Sequence, residues 1–152
     1  MNRYKSIATI LLALIVSTMS IAVVGCTRKS IVPTQATSAI QTQVIKDITA
    51  KESFSLIQEN SSNVNFVIVD VRTPSEFSEG HIKNAINIDF YAPTFREAIG
   101  KLDKAKMYLV YCRSGNRSTQ TTAIMKDLGF REVYNIDDGI VGWNNNGYPT
   151  VK

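Results

Sequence analysis

The sequence predicts an α/β domain built on a parallel sheet, with helices covering both faces. Three observations carry that reading. Short runs of β-branched and aromatic residues alternate with segments that open on helix-capping signals. Two of those runs, NFVIVDV (65–71) and MYLVY (107–111), are apolar without alternation, as strands buried on both faces are. With 152 residues, 44% of them hydrophobic, the chain can close one core but not two.

The first segment reads as an address. Residues 1–5 carry Arg3 and Lys5, residues 7–24 are almost entirely apolar, and Gly25-Cys26 follow. A basic start, an apolar stretch and a small residue before the cut describe a secretory leader. VVGC (23–26) resembles a bacterial lipobox, in which Cys26 is acylated, palmitate among its chains, and becomes the new N-terminus. The alternative is an uncleaved anchor, since eighteen residues span about 27 Å as a helix. The lipoprotein reading divides the chain into a leader (1–25), a lipidated tether (26–43) rich in Thr, Ser, Gln and Ala, and a domain (44–152). It places the domain in the cell envelope, outside the cytoplasmic membrane and held to it by lipid. It also leaves Cys112 as the one free thiol of the mature chain, without an internal disulfide.

Within the domain, residues 44–48 read as a short edge strand. Thr49 and Glu52 form a capping box that starts a helix reaching Asn60. Residues 65–71 are the strongest strand. Thr73-Pro74-Ser75-Glu76 is a second capping box, with proline at the first helical position of a short turn. Residues 85–88 make another short strand, and 93–100 a helix facing inward with Phe95, Ala98 and Ile99. The strand 107–111 leads to Cys112. A helix over 118–128 follows, closed by Gly129. Residues 132–136 form the last strand, Asp137-Asp138-Gly139 a turn, and 140–146 a final helix carrying Trp143.

Composition excludes several functions. Removal of Arg3 and Lys5 with the leader lowers the formal net charge from +4 to +2, and no basic run suggests nucleic acid as a partner. One histidine and two cysteines are too few for a zinc site, and no metal or other cofactor is expected. A monomer is expected. Asp70, Arg72 and Glu76 read as an ion-paired brace near the cysteine loop rather than as acid–base groups. His81 reads as a structural turn residue and Trp143 as core packing.

Chemistry concentrates at Cys112-Arg113-Ser114-Gly115-Asn116-Arg117-Ser118. A strand, a tight glycine-bearing loop and a helix N-terminus turn several backbone N–H groups towards one spot. Such a cradle, with Arg113 and Arg117 close by, lowers a thiol's pKa and makes Cys112 a candidate nucleophile. A cysteine used only for core packing has no need of the polar residues that follow it.

CRSGNRS after an apolar strand resembles the active-site loop of single-domain rhodaneses. DVRTPSEFSEGHIKNAINI (70–88) is similar to that family's Asp-x-Arg and Glu-x-x-x-Gly-His-Ile signature. DDGIVGWNNNGYP resembles the family's C-terminal motif, which usually has two glycines where Asp138-Gly139 stand; that departure touches a structural turn rather than the active site. The resemblance implies a five-stranded parallel sheet and a sulfurtransferase. Cys112 would take the outer sulfur of a small anionic donor such as thiosulfate and pass it to cyanide or a thiol, with the loop residues binding substrate. Cysteine phosphatases and arsenate reductases use a similar loop with five residues between cysteine and arginine. Four separate Cys112 from Arg117, which favours a single sulfur atom over a tetrahedral oxyanion. A persulfide carrier or binding module on a membrane partner is the remaining alternative.

Overall fold

The computed structural model describes residues 42–152. The leader, Cys26 and nearly all of the tether lie outside the described residues, and so does the lipidation expected there. No described helix is long and apolar enough to cross a membrane.

Five strands form one sheet: β1 (Val44–Ile48), β2 (Phe66–Asp70), β3 (Ala85–Asn87), β4 (Met107–Tyr111) and β5 (Glu132–Ile136). Their order is β1-β5-β4-β2-β3 and every pairing is parallel. Five helices connect and flank them: α1 (Ala50–Glu59), α2 (Pro74–Glu79), α3 (Phe95–Gly100), α4 (Asn116–Asp127) and α5 (Gly139–Asn145). The expected five-stranded parallel architecture is therefore the observed one. The strand that feeds the cysteine loop, β4, is central, where both faces are covered and both edges are paired.

Strand alternation decides which face Cys112 joins. Tyr108, Val110 and Cys112 fall in one core layer with Phe95, Ile99, Met125 and Phe130 of the α3/α4 side. Leu109 and Tyr111 fall in the other, with Ile48, Ile140 and Trp143 of the α1/α5 side. Trp143 is buried, and its indole N–H donates to the Pro149 carbonyl at 3.1 Å. Phe54 stacks on Tyr148 with ring centroids 4.3 Å apart, which seats the C-terminal tail on α1.

Both capping boxes form as the sequence indicates. Thr49 caps α1 through Glu52, and Thr73 caps α2 through Glu76. Two helices start two residues away from expectation. Helix α3 begins at Phe95 rather than at 93, after a turn closed by Phe95 N–H to Ala92 O. Helix α4 begins at Asn116 rather than at 118, because Gly115 is in the left-handed region with φ 90° and can end the loop two residues early.

The end of β2 is closed by an ion pair. Asp70 is wholly buried and Arg72 is 5% exposed. Arg72 Nη2 donates to Asp70 Oδ2 at 2.6 Å and to the Gly80 carbonyl at 2.7 Å. Asn87 Nδ2 donates to the Asp70 and Arg72 carbonyls, at 3.0 and 2.8 Å, and so ties in β3. A buried carboxylate that loses its only cation is costly. Arg72→Ala is therefore expected to destabilise the fold by about 3–5 kcal/mol, and Asp70→Asn with Arg72→Met by much less. Urea unfolding of the three proteins measures this, and equal losses would contradict it.

Candidate active site

The chain leaves β4 at Tyr111, turns through Cys112–Gly115 and enters α4. Cys112 is 1% exposed, so its sulfur forms the floor of a site rather than its rim. A cleft of about 420 Å³ opens above it, lined by Glu76, Tyr91, Cys112, Arg113, Ser114, Asn116 and Arg117.

Two glycines explain why the loop folds this way. A Cβ on Gly115 would overlap the Asp137 carbonyl oxygen, and one on Gly139 (φ 58°) would stand 2.6 Å from the Cys112 and Arg113 backbone. The turn before α5 thus packs directly against the loop. Ile140 N–H donates to the Cys112 carbonyl at 2.9 Å and Val141 N–H to the Arg113 carbonyl at 3.1 Å. With its carbonyls held outward, the loop turns its amides inward. Asp138 adopts φ −97°, an ordinary value, which is why a side chain is tolerated where the family usually has glycine. The retained Gly139 is the position that needs one. The sequence reading set this turn apart from the active site, but it is the loop's back wall.

Burial pushes the Cys112 thiol up, but hydrogen bonds from the Ser118 hydroxyl and from the Ser118, Ser114 and Arg117 amides outweigh it, and the thiol pKa is lowered. Ser118 Oγ lies 3.5 Å from the sulfur. The sequence attributed this effect to the amide cradle at the helix start and to nearby arginines together, and the hydrogen bonds come from the cradle. In the structure the Arg117 guanidinium faces Glu76, donating at 2.7 and 2.8 Å to its two oxygens. That pair holds the Glu76 carboxyl at about 2. Arg113 is exposed at the cleft wall and supplies the positive charge at the mouth.

The expected brace of Asp70, Arg72 and Glu76 is thus two separate pairs. Asp70 and Arg72 close β2, while Glu76 reaches across to α4 and anchors the loop's exit. The reason is distance in the fold: Glu76 sits in the first turn of α2, within hydrogen-bond reach of Arg117 on α4. Ser114 and Asn116 are exposed on the cleft wall, and Gly115 and Ser118 are buried beneath it. His81 is not among the cleft residues. Its ring stacks on Phe77 at 3.7 Å, and its backbone pairs with Val151.

One residue was missed. Tyr91 is 67% exposed at the cleft mouth, its ring 5.6 Å from the Arg117 guanidinium carbon. It lies in the irregular stretch after β3, where no periodicity marks it, and only the bend of the chain over α4 brings it to Cys112.

Comparisons with known proteins agree with this geometry. The family model for the rhodanese-like domain matches residues 53–146. A sulfurtransferase of Allochromatium vinosum is 33% identical over 100 residues, covering 66% of this chain and 92% of that protein. Thiosulfate sulfurtransferase 16 of Arabidopsis thaliana is 36% identical over 92 residues, covering 54% and 77%. A tRNA uridine(34) hydroxylase of Buchnera aphidicola is 36% identical, but the match spans only 31% of its length. Among solved structures, a rhodanese-related protein of Thermoplasma volcanium superposes with TM-score 0.59 at 33% identity, covering 70% of this chain and 97% of that one.

The Glu76–Arg117 pair has a pH signature. The Glu76 carboxyl titrates near 4.5 when free and near 2 in the folded chain. The unfolded chain therefore binds the extra proton first as pH falls, and the pair's contribution is complete above about pH 5 and lost towards pH 2. Glu76→Gln is expected to cost about 1 kcal/mol at neutral pH, with the gap to the parent closing between about pH 4.5 and 2. Urea midpoints across that range test this; a gap independent of pH would contradict it.

Proposed function

The chain belongs to the rhodanese-like domain family, and from that premise we propose that it moves a sulfane sulfur from a thiosulfate-like donor, through a persulfide on Cys112, to cyanide or a thiol. The observation that carries the reading is the buried Cys112 sulfur facing inward-turned amides of Ser114, Arg117 and Ser118.

In the first half-reaction the Cys112 thiolate attacks the outer sulfur of thiosulfate. The Cys112 S–S bond forms, the donor's S–S bond breaks, and sulfite leaves with its electron pair. In the second, the acceptor attacks the outer sulfur of the persulfide, and the Cys112 thiolate is the leaving group. A low thiol pKa serves both steps, once as nucleophile and once as leaving group. The same amides that favour the thiolate hold the terminal sulfur of the persulfide.

Two features favour sulfur over phosphate as the cargo. Four residues separate Cys112 from Arg117, one fewer than in the loops of cysteine phosphatases. Arg117, which would have to grip a phosphoryl group, already has both arms of its guanidinium on Glu76.

The leader and VVGC segment support export and acylation at Cys26, which would tether the domain at the outer side of the cytoplasmic membrane. A thiolate there is at risk of oxidation. A persulfide resting state held in the loop would shield it.

Intact-mass measurement tests the reaction. Incubation with thiosulfate is expected to add one sulfur to the chain, and cyanide to remove it. Cys112→Ser should abolish both the adduct and thiocyanate formation while leaving the circular dichroism spectrum unchanged; transfer retained in that variant would refute the assignment. For the anchor, mature protein extracted from a bacterial envelope should carry acyl mass on Cys26, and a Cys26 peptide found bare would refute it.

A further inference from the structure

Behind the cysteine loop, the Gly115 carbonyl has more donors than it can use. Thr119 N–H, Thr119 Oγ1 and Ser118 Oγ all lie 2.9 Å from it. A carbonyl oxygen has two lone pairs, so one donor is surplus. Ser118 is the donor with another acceptor to serve, the Cys112 sulfur at 3.5 Å. We propose that Thr119, held by Asn135 and Asp47, is a positioning residue that frees the Ser118 hydroxyl proton for the Cys112 thiolate.

The geometry fixes each hydroxyl in turn. Asn135 Nδ2 on β5 donates to Thr119 Oγ1 at 3.1 Å and to the Asp47 carboxylate on β1 at 2.8 Å. Because Thr119 Oγ1 accepts from Asn135, its own proton points away, at the Gly115 carbonyl. A flipped Asn135 amide would set its oxygen against the Asp47 carboxylate, so the carboxylate locks the amide. The consequence is visible: Asn135 is wholly buried, and its Oδ1 has no hydrogen-bond partner among the described residues. Here one amide hydrogen is held by Asp47, which fixes the amide, and the other is given to Thr119. With the Thr119 amide on one lone pair of Gly115 O and the Thr119 hydroxyl on the other, Ser118 can turn to the sulfur without leaving a lone pair open.

The charged and titratable groups facing Cys112 are Arg113, Arg117 with its partner Glu76, and the Tyr91 phenol at the rim. On the α5 side, Asp137 meets the loop through its carbonyl and Asp138 lies over Gly142. Substitution at Thr119 or Asp47 leaves all of these in place.

The inference rests on Cys112 being the nucleophile, and its test needs no sulfur donor. The rate of Cys112 alkylation by iodoacetamide is followed against pH in the full chain, resolved by mass spectrometry of the Cys112 peptide. Thr119→Val is expected to raise the midpoint, slowing alkylation on the acid side by about threefold, or half a pH unit. Thr119→Ser should restore the parent profile. Asp47→Ala, a surface change that does not threaten the core, should move the midpoint the same way. A purely structural role would lower the melting temperature and leave the midpoint alone, and midpoints equal to the parent's in the folded variants would overturn the proposal. Normal alkylation of a Cys112 that never carries sulfur would instead overturn the proposed function.

Discussion

Gly115 lets the chain leave β4 and enter α4 with its amides turned towards Cys112, and the rest of the site depends on that turn. Its φ of 90° is open to glycine, and the Asp137 carbonyl occupies the space a Cβ would need. On the other side of the loop, the first amides of α5 hold the Cys112 and Arg113 carbonyls. Carbonyls drawn outward and amides turned inward are one constraint seen from two sides. It makes a site for a negative sulfur without requiring a cation in contact with it.

That distinction shapes the chemistry. A guanidinium touching the thiolate would lower its pKa, but would also hold the sulfur in an ion pair. Arg117 is instead neutralised by Glu76, and its role is to pin the start of α4 to α2. The thiol pKa is lowered mainly by hydrogen bonds from Ser118 and three amides, acting against burial. Fixed dipoles of this kind stabilise a thiolate and a terminal persulfide sulfur alike. Arg113, exposed at the cleft mouth, is the positive charge presented to solvent there.

The position of β4 supplies the rigidity. A parallel sheet puts the C-terminal ends of its strands, and the loops after them, on one side. The loops that follow β2, β4 and β5 supply Glu76, Cys112 and the Asp137–Gly139 turn to one place. The Asp70–Arg72 pair at the end of β2 and the Asn87 bonds from β3 hold the neighbouring strand ends in register with the loop.

The sequence by itself determined the parallel α/β class and both capping boxes, and it singled out Cys112 as the candidate nucleophile. These are local: apolar periodicity, a threonine three residues before a glutamate, and a cysteine at the junction of strand and helix are all written within a dozen residues. Residue spacing, four positions between Cys112 and Arg117, is likewise a local feature read directly from the chain. Only the tertiary structure decided that Glu76 belongs to Arg117 rather than to Arg72, that the Asp137–Gly139 turn is the back of the site, and that Tyr91 stands at its mouth. It alone joined Asp47, Asn135 and Thr119 into a line ending at Gly115. Those partners lie 41, 88 and 16 residues apart in the chain for Arg117–Glu76, Asn135–Asp47 and Asn135–Thr119. No periodicity connects them, and contacts of that separation exist only once parallel strands have been brought side by side.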